Sequence, residues 1–169
     1  RMHKAAKAVY EDAIKRYPQS DQRAKYHFQL MNIDYKEGKF NDAMVKYQYI
    51  VQHFSESDVK ADADYIAGQI KFEQGLYQES IDLLSAILPG NANYFYARYT
   101  MGIANSRMGK WDEAENCFRD IIDQPASNQS EMDLQDAAKV KLGHIYFSGD
   151  NPNIPEAAGL YGQVKPGSP

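Results

Sequence analysis

The stretch MGIANSRMGKWDEAENCFRDII, residues 101–122, decides the fold. Gly109 marks a turn in its middle, and the residues before that glycine have the composition of a helix. Beyond the glycine, a set of four residues follows at successive spacings of 3, 4 and 3, which places them on one face of a second helix. They are Trp111, Ala114, Phe118 and Ile121. The stretch therefore predicts a helical hairpin, in which the second helix folds back on the first.

The same pattern occurs three times along the chain. The turn glycines are Gly38, Gly75 and Gly109, separated by 37 and then 34 residues. Each is followed by an aromatic residue, a small residue, a bulky residue and an isoleucine at matching positions. These residues are Phe40, Ala43, Tyr47 and Ile50, then Tyr77, Ser80, Leu84 and Ile87, then Trp111, Ala114, Phe118 and Ile121. Internal repetition at this period indicates an array of stacked hairpins.

We call this series of aromatic, small, bulky and isoleucine positions the ladder. It resembles the tetratricopeptide repeat, a helical hairpin of about 34 residues. On that family's frame, Gly68 and Gly102 match the small residue of the first helix, whereas Met31 departs from it. Pro89 and Pro125 lie near the position of the family's closing proline. The resemblance covers nearly the whole chain. It implies an all-α fold, an α-α superhelix formed as a right-handed solenoid of antiparallel helix hairpins.

On this frame the chain is one array over residues 1–169. The expected units are the second helix of a truncated repeat at 1–18, repeats at 22–55, 58–89 and 92–125, and a degenerate repeat at 131–165. First helices are expected at 22–37, 58–74, 92–108 and 131–148, and second helices at 40–53, 77–88, 111–122 and 155–164. The linker at 123–133 is the longest, and we expect any bend between halves there.

Several packing roles follow from the frame. Trp111, Phe40 and Tyr77 are predicted to seal the junctions between helix and turn. Ala67 and Gly68 are expected to lie opposite Ser80, and Gly102 opposite Ala114. Ser20 or Asp21 is expected to cap the next helix, and Asp62 and Asp64 to interact with a helix dipole.

Composition excludes several classes of function. The chain has 19 basic and 23 acidic residues, a net charge of −4, and no dense basic run, which argues against nucleic acid as the main partner. No apolar run reaches the roughly 18–20 residues of a membrane span. The single Cys117 allows no internal disulfide and is predicted to be a buried structural thiol.

Catalytic and cofactor motifs are also missing from the sequence. The four histidines fall in different predicted helices without metal-ligand spacing, and the glycines form no phosphate-binding loop. We therefore predict no catalytic residue, no metal, no cofactor and no enzyme activity.

The resemblance implies a concave groove lined by five positions of each first helix. Carried onto this sequence, those positions are Lys25, Phe28, Asn32, Tyr35 and Lys36; Asp62, Tyr65, Gln69, Phe72 and Glu73; Tyr96, Tyr99, Ile103, Ser106 and Arg107; and Ala137, Val140, His144, Phe147 and Ser148. The residues predicted to bind a partner are Lys25, Phe28, Asn32, Tyr35, Lys36, Tyr65, Gln69, Phe72, Tyr96, Tyr99, Arg107, His144 and Phe147.

Seven of these residues carry aromatic rings and would form a stripe suited to a peptide, because rings provide contact area at low entropy cost. Asn32 and Gln69 could bond the peptide backbone. The alternative is that half of the rings pack on the neighbouring repeat, and that His144 is simply solvated. Family members that grip a peptide carboxylate carry a lysine at the position of Phe28, so that binding mode is not expected.

The predicted function is a non-catalytic scaffold that binds a peptide segment or a protein. Two alternatives remain open: a module that self-assembles into a homo-oligomer, and a regulatory module of a larger enzyme. The connector YPQS at 17–20, with HFSES at 53–57, resembles bacterial cell-envelope repeat proteins of the BamD and CpoB types. That resemblance implies a periplasmic envelope assembly or motility complex. We expect the chain to be a fragment of a longer protein, and its compartment stays open, with the periplasm favoured over the cytoplasm.

Overall fold

The structure, a computed structural model, describes residues 2–148 and 152–165. In that part of the chain there are nine α-helices and no strand. In chain order they are α1 (Met2–Arg16), α2 (Arg23–Lys36), α3 (Phe40–His53), α4 (Lys60–Glu73), α5 (Tyr77–Leu84), α6 (Tyr94–Arg107), α7 (Trp111–Ile122), α8 (Gln129–Ser148) and α9 (Ile154–Gly162). No described helix is both long enough and apolar enough to cross a bilayer.

The helices form two compact units, divided between Ile87 and Leu88. In the first unit α1 packs on α2, the hairpins α2–α3 and α4–α5 form, and α4 packs on α2 and α3. In the second unit the hairpins are α6–α7 and α8–α9, with α8 packed on α6 and α7. The linker at 123–133, where we expected a bend between halves, therefore lies inside the second unit. That linker is tied down by the Gln135 side-chain amide, which donates to the carbonyls of Ile121 at 3.0 Å and Gln124 at 2.6 Å.

The three turn glycines are confirmed as the points where the chain reverses. Gly38, Gly75 and Gly109 have φ angles of 71°, 75° and 72°, a left-handed conformation that suits glycine because it has no Cβ. The residue after each glycine donates its N–H to a carbonyl five residues earlier, as from Lys110 to Asn105 at 2.9 Å. This is the bond that closes a helix in the Schellman motif.

Close packing within the hairpins α4–α5 and α6–α7 depends on a glycine in the first helix of each. A Cβ on Gly68 would lie 2.6 Å from the Leu84 side chain, and one on Gly102 would lie 2.6 Å from the Phe118 ring. The predicted partners, Ser80 and Ala114, were wrong by one helical turn. The glycines make room for the bulky residues of the ladder instead of its small ones.

The first full hairpin solves the same packing problem differently. Met31 occupies the position of the two glycines and is fully buried. Tyr47, at the position of Leu84, is only half-buried and donates its hydroxyl to Asp64 at 2.8 Å. A larger residue on the first helix is thus accompanied by a ring that reaches outward to the next hairpin.

Two helix ends differ from the predictions. Helix α5 ends at Leu84 instead of 88. Pro89 disfavours helical geometry at Leu88. Between these residues the chain forms a tighter turn, in which Ile87 N–H donates to the Leu84 carbonyl at 3.1 Å. Helix α2 has no side-chain cap, and Ser20 accepts a bond from Gln22 N–H within the preceding turn. The turn before α9 includes 149–151, which lie outside the described residues.

Candidate partner-binding surface

In the first unit, three of the predicted groove rings are half-buried against the core. Phe28, Tyr35 and Tyr65 pack on the cluster that contains Met31 and Ile50. The Tyr35 hydroxyl donates to Glu73 at 3.1 Å, and burial raises the pKa of Tyr35 to about 12. These rings have one face in the core, so each offers a partner only part of its surface.

The other first-unit candidates surround these rings. Lys25 is exposed and forms an ion pair with Asp58 at 3.3 Å, and Lys36 is exposed. Asn32 and Gln69 are half-buried. Phe72 is half-buried as well, and its ring lies 5.6 Å from that of Tyr77 on the far side of the turn.

In the second unit the predicted positions of α6 and α8 come together around two cavities. The first has a volume of about 360 Å³ and is lined by Ile103, Ser106, Arg107, Trp111, Lys141, His144, Ile145 and Ser148. The second has a volume of about 500 Å³ and is lined by Tyr99, Asp133, Leu134, Ala137, Val140 and Lys141. Lys141 belongs to both cavities, and we call the joined surface the α6–α8 groove.

Eight of the ten positions that the family frame places on this side of α6 and α8 line the α6–α8 groove. The other two, Tyr96 and Phe147, are 37% and 58% exposed but lie outside both linings. The Tyr99 ring is half-buried, with its centroid 5.9 Å from that of the Phe118 ring, and burial raises the pKa of Tyr99. Tyr99 is therefore shared between the groove and the core beneath it.

The prediction that Trp111 seals its turn is wrong. Trp111 is 52% exposed and lines the first cavity. In the hairpins α2–α3 and α4–α5 the seal forms between two rings, Phe40 against Tyr35 and Tyr77 against Phe72.

The residue of α6 that corresponds to Tyr35 and Phe72 is Ser106. Its hydroxyl donates to the Gly102 carbonyl at 2.9 Å and so stays close to its own helix. Since no ring stands at this position to cover Trp111, its indole faces the cavity. The signal for this difference was present in the sequence, as the substitution of a ring by serine in an otherwise regular repeat.

The first cavity is basic as well as apolar. Arg107, Lys141 and His144 line it, and all three are exposed. None of the described lining residues is acidic, and neither Arg107 nor Lys141 forms an ion pair within the described part of the chain. The His144 ring lies 5.9 Å from that of Tyr161. In the second cavity, Asp133 is the acidic lining residue.

Sequence reasoning missed a set of buried polar contacts between helices. Asp34 is 2% exposed and pairs with Lys7 and with Lys46, the latter at 2.5 Å, and these lysines lower the pKa of its carboxyl against the opposing effect of burial. Asp64 is buried too, bonded by Lys60 at 2.6 Å and by Tyr47. The helix-dipole role predicted for Asp64 is wrong, because only Asp62 lies in the first turn of α4.

A second polar cluster joins α7 to α8. The Arg119 guanidinium donates to Glu115 at 2.8 Å and to the Tyr146 hydroxyl at 2.7 Å, and that hydroxyl in turn bonds Glu115. The spacing of Glu115 and Arg119, four residues apart, was the available signal, since such pairs meet on a helix surface. Both polar clusters hold helices together and lie away from the linings of the α6–α8 groove.

The prediction for Cys117 is confirmed. The thiol is 4% exposed, accepts from the Asn105 amide at 3.8 Å, and has its pKa raised by burial. Burial and a raised pKa both suppress the reactive thiolate. Among the described residues, no three histidine, cysteine or acidic side chains cluster in a way that could hold a metal ion.

Comparison with known proteins supports the fold. The tetratricopeptide repeat model matches residues 1–20 and 96–127, and the second range contains the stretch 101–122. The chain is similar to the crystal structure of MamA, with a TM-score of 0.72 and 21% identity over 96% of this chain and 86% of that one. It is also similar to the MamA RS-1 ArsTM double mutant, with a TM-score of 0.66 and 13% identity over 96% and 92% of the two chains.

No curated protein matches the chain significantly. The comparisons give no support to the narrower resemblance to BamD and CpoB. The all-helical architecture, the repeat match and the structural similarity agree with one another. The chain therefore has the fold of a tetratricopeptide-type helical solenoid, like that of MamA.

Proposed function

We propose that this chain is a non-catalytic protein-interaction module that binds a peptide segment of a partner along the α6–α8 groove. The observation that carries the proposal is the convergence of Tyr99, Ile103, Val140 and His144, from two helices, around two adjoining cavities. The similarity to tetratricopeptide-type structures supports the same class of function.

The lining of the groove suits a peptide. Ile103, Val140 and Leu134 supply apolar surface, and Tyr99 and Trp111 supply rings with polar edges. Aromatic residues of this kind are enriched among those that contribute most binding energy, and apolar groove walls accept the side chains of a docked peptide. The Lys141 side chain, shared by both cavities, places a charge where an extended ligand would pass from one to the other.

A charge placed in the groove tests this proposal. Val140→Arg introduces a cation into the second cavity, and Asn116→Arg introduces the same side chain at an exposed position of α7. We expect quantitative affinity purification from native lysate to lose partners with Val140→Arg and to keep them with Asn116→Arg.

Thermal unfolding of both variants controls for folding. Two folded variants that recover the same partners in equal amounts would contradict the assignment of the groove.

The cellular setting is a separate proposal. A role in a bacterial envelope assembly or motility complex, in the periplasm, is supported by the aromatic-Pro-x-Ser connector at 17–20 and by no comparison. Fractionation of native cells into cytoplasm, periplasm and membranes tests it, and recovery in the cytoplasmic fraction would contradict it.

A further inference from the structure

The first cavity of the α6–α8 groove exists because one repeat differs from the others. Ser106 stands where Tyr35 and Phe72 stand in the other hairpins, so that Trp111 is left 52% exposed beside a cavity of about 360 Å³. Ligand pockets have volumes of roughly 300–1,000 Å³, so this cavity has room for a large side chain. A ring that covers the turn in the sister repeats is missing here, and a partner's side chain can occupy the vacated position.

We propose that the first cavity takes a bulky apolar side chain of a bound peptide, and that Arg107 and Lys141 pair with an acidic side chain next to it on that peptide. This inference rests on the proposed peptide-binding function and specifies the chemistry of the ligand. The occupant is an internal acidic–apolar segment of a partner protein.

The apolar part of the recognition comes from the walls. Ile103 of α6, Trp111 of α7 and Ile145 of α8 line the cavity from three helices. A large apolar side chain packed against the exposed Trp111 indole removes apolar surface from water, which favours binding. Small or polar side chains would leave most of that indole exposed to water and would bury little apolar area.

The acidic part comes from charge complementarity. The chain carries a net charge of −4, yet Arg107, Lys141 and His144 line this cavity together with no acidic residue among the described ones. Arg107 and Lys141 have no ion-pair partner within the described residues, so a carboxylate from the ligand would meet cations that are not already neutralised. Basic peptides would be repelled at the same point.

Selection from random dodecapeptides displayed on phage tests the proposal without assuming a partner. On the immobilised wild-type chain we expect enriched peptides in which an acidic residue adjoins Phe, Leu, Ile, Met or Trp. Enrichment of basic–apolar peptides would overturn the charge assignment, and enrichment without a bulky apolar residue would overturn the cavity assignment.

The strongest enriched peptide, synthesised with acetylated and amidated ends, is then titrated while the emission of Trp111, the only tryptophan, is followed. We expect a blue shift on binding, an affinity at least about tenfold weaker for Arg107→Ala, and unchanged affinity for Lys4→Ala, an exposed cation on α1. Equal affinities for the wild type and Arg107→Ala would overturn the pairing.

Ser106→Tyr supplies a matched variant that fills the cavity with the side chain used in a sister repeat. It should fold, because Tyr35 already stacks on Phe40 at the equivalent place. We expect the peptide-induced shift of Trp111 emission to disappear and the affinity to fall at least about tenfold.

Failure of this inference can be told from failure of the proposed function. Enriched peptides that bind Ser106→Tyr as well as wild type, but lose binding to Val140→Arg, overturn the inference and leave the groove assignment standing. Absence of any enriched peptide, with the folded protein on the support, counts against both.

Discussion

His27 lies in an aromatic cluster of the first unit, with its ring 4.3 Å from that of Tyr49 and 6.0 Å from that of Phe54. Burial lowers its pKa to about 4, and the nearby charges of Arg23 and Lys46 act in the same direction. In the unfolded chain the imidazole has a pKa of about 6.5. Between those two values the unfolded chain binds a proton that the folded chain does not.

The protein should therefore lose stability as the pH falls from about 6.5 toward 4, because protonation favours the unfolded state in that window. Replacing His27 by Gln should flatten the dependence of the unfolding free energy on pH there, measured by urea titration at pH 7, 6 and 5. Glu37, whose pKa is lowered to about 2 by bonds from Lys39 and Lys7, contributes a loss only below about pH 4.5.

His144→Gln is the matched control, since this histidine is exposed in the second unit. An equally steep profile for wild type and His27→Gln between pH 6.5 and 5 would show that another group carries the effect.

At the scale of the helix pair, Gly102 determines how closely α6 approaches α7. An added Cβ would lie 2.6 Å from Cε1 and 2.8 Å from Cζ of Phe118, a ring with 0% exposure. For Gly102→Ala, overpacking should cost about 1–3 kcal/mol of stability. Because alanine gains only roughly 1 kcal/mol in helix propensity, we expect a net destabilisation. Urea unfolding measures the difference.

Gly159 of α9 provides the control for that substitution. No neighbouring atom lies within 4 Å of a Cβ built there, so Gly159→Ala should show only the propensity gain, a stabilisation of about 1 kcal/mol or less. Destabilisation by both substitutions would mean that the glycine contact with Phe118 does not decide the outcome.

Hairpins could be predicted from local rules because each rule acts on adjacent residues. Glycine adopts a positive φ at the least steric cost, and the ladder after each turn glycine repeats at helical spacing. Packing partners were harder to predict. Gly102 opposes Phe118 and not Ala114, because the contact depends on how far one helix is shifted along the other.

The sequence could predict which helix faces form the candidate site, but not the exposure and pairing of its individual side chains. The family frame places Ile103, Arg107 and His144 on one side of their helices, and the structure brings them together. The exposure of Trp111 required comparing Ser106 with its counterparts in the other repeats. Buried pairs such as Asp64 with Lys60 were missed because charged residues on a helix are ordinarily solvated.

At the scale of the whole molecule, the two compact units use the same repeat for different surfaces. In the first unit, Phe28, Tyr35 and Tyr65 pack against the core cluster, so their rings serve stability in large part. In the second unit, the equivalent side of α6 and α8 lines two cavities. We therefore propose that partner binding belongs to the second unit.

Hydrogen–deuterium exchange with and without the selected acidic–apolar peptide tests that assignment most directly. We expect bound peptide to slow exchange in α6 and α8, Tyr94–Arg107 and Gln129–Ser148, and to leave α2 and α4 unchanged. Slower exchange confined to α2 and α4, Arg23–Lys36 and Lys60–Glu73, would contradict it.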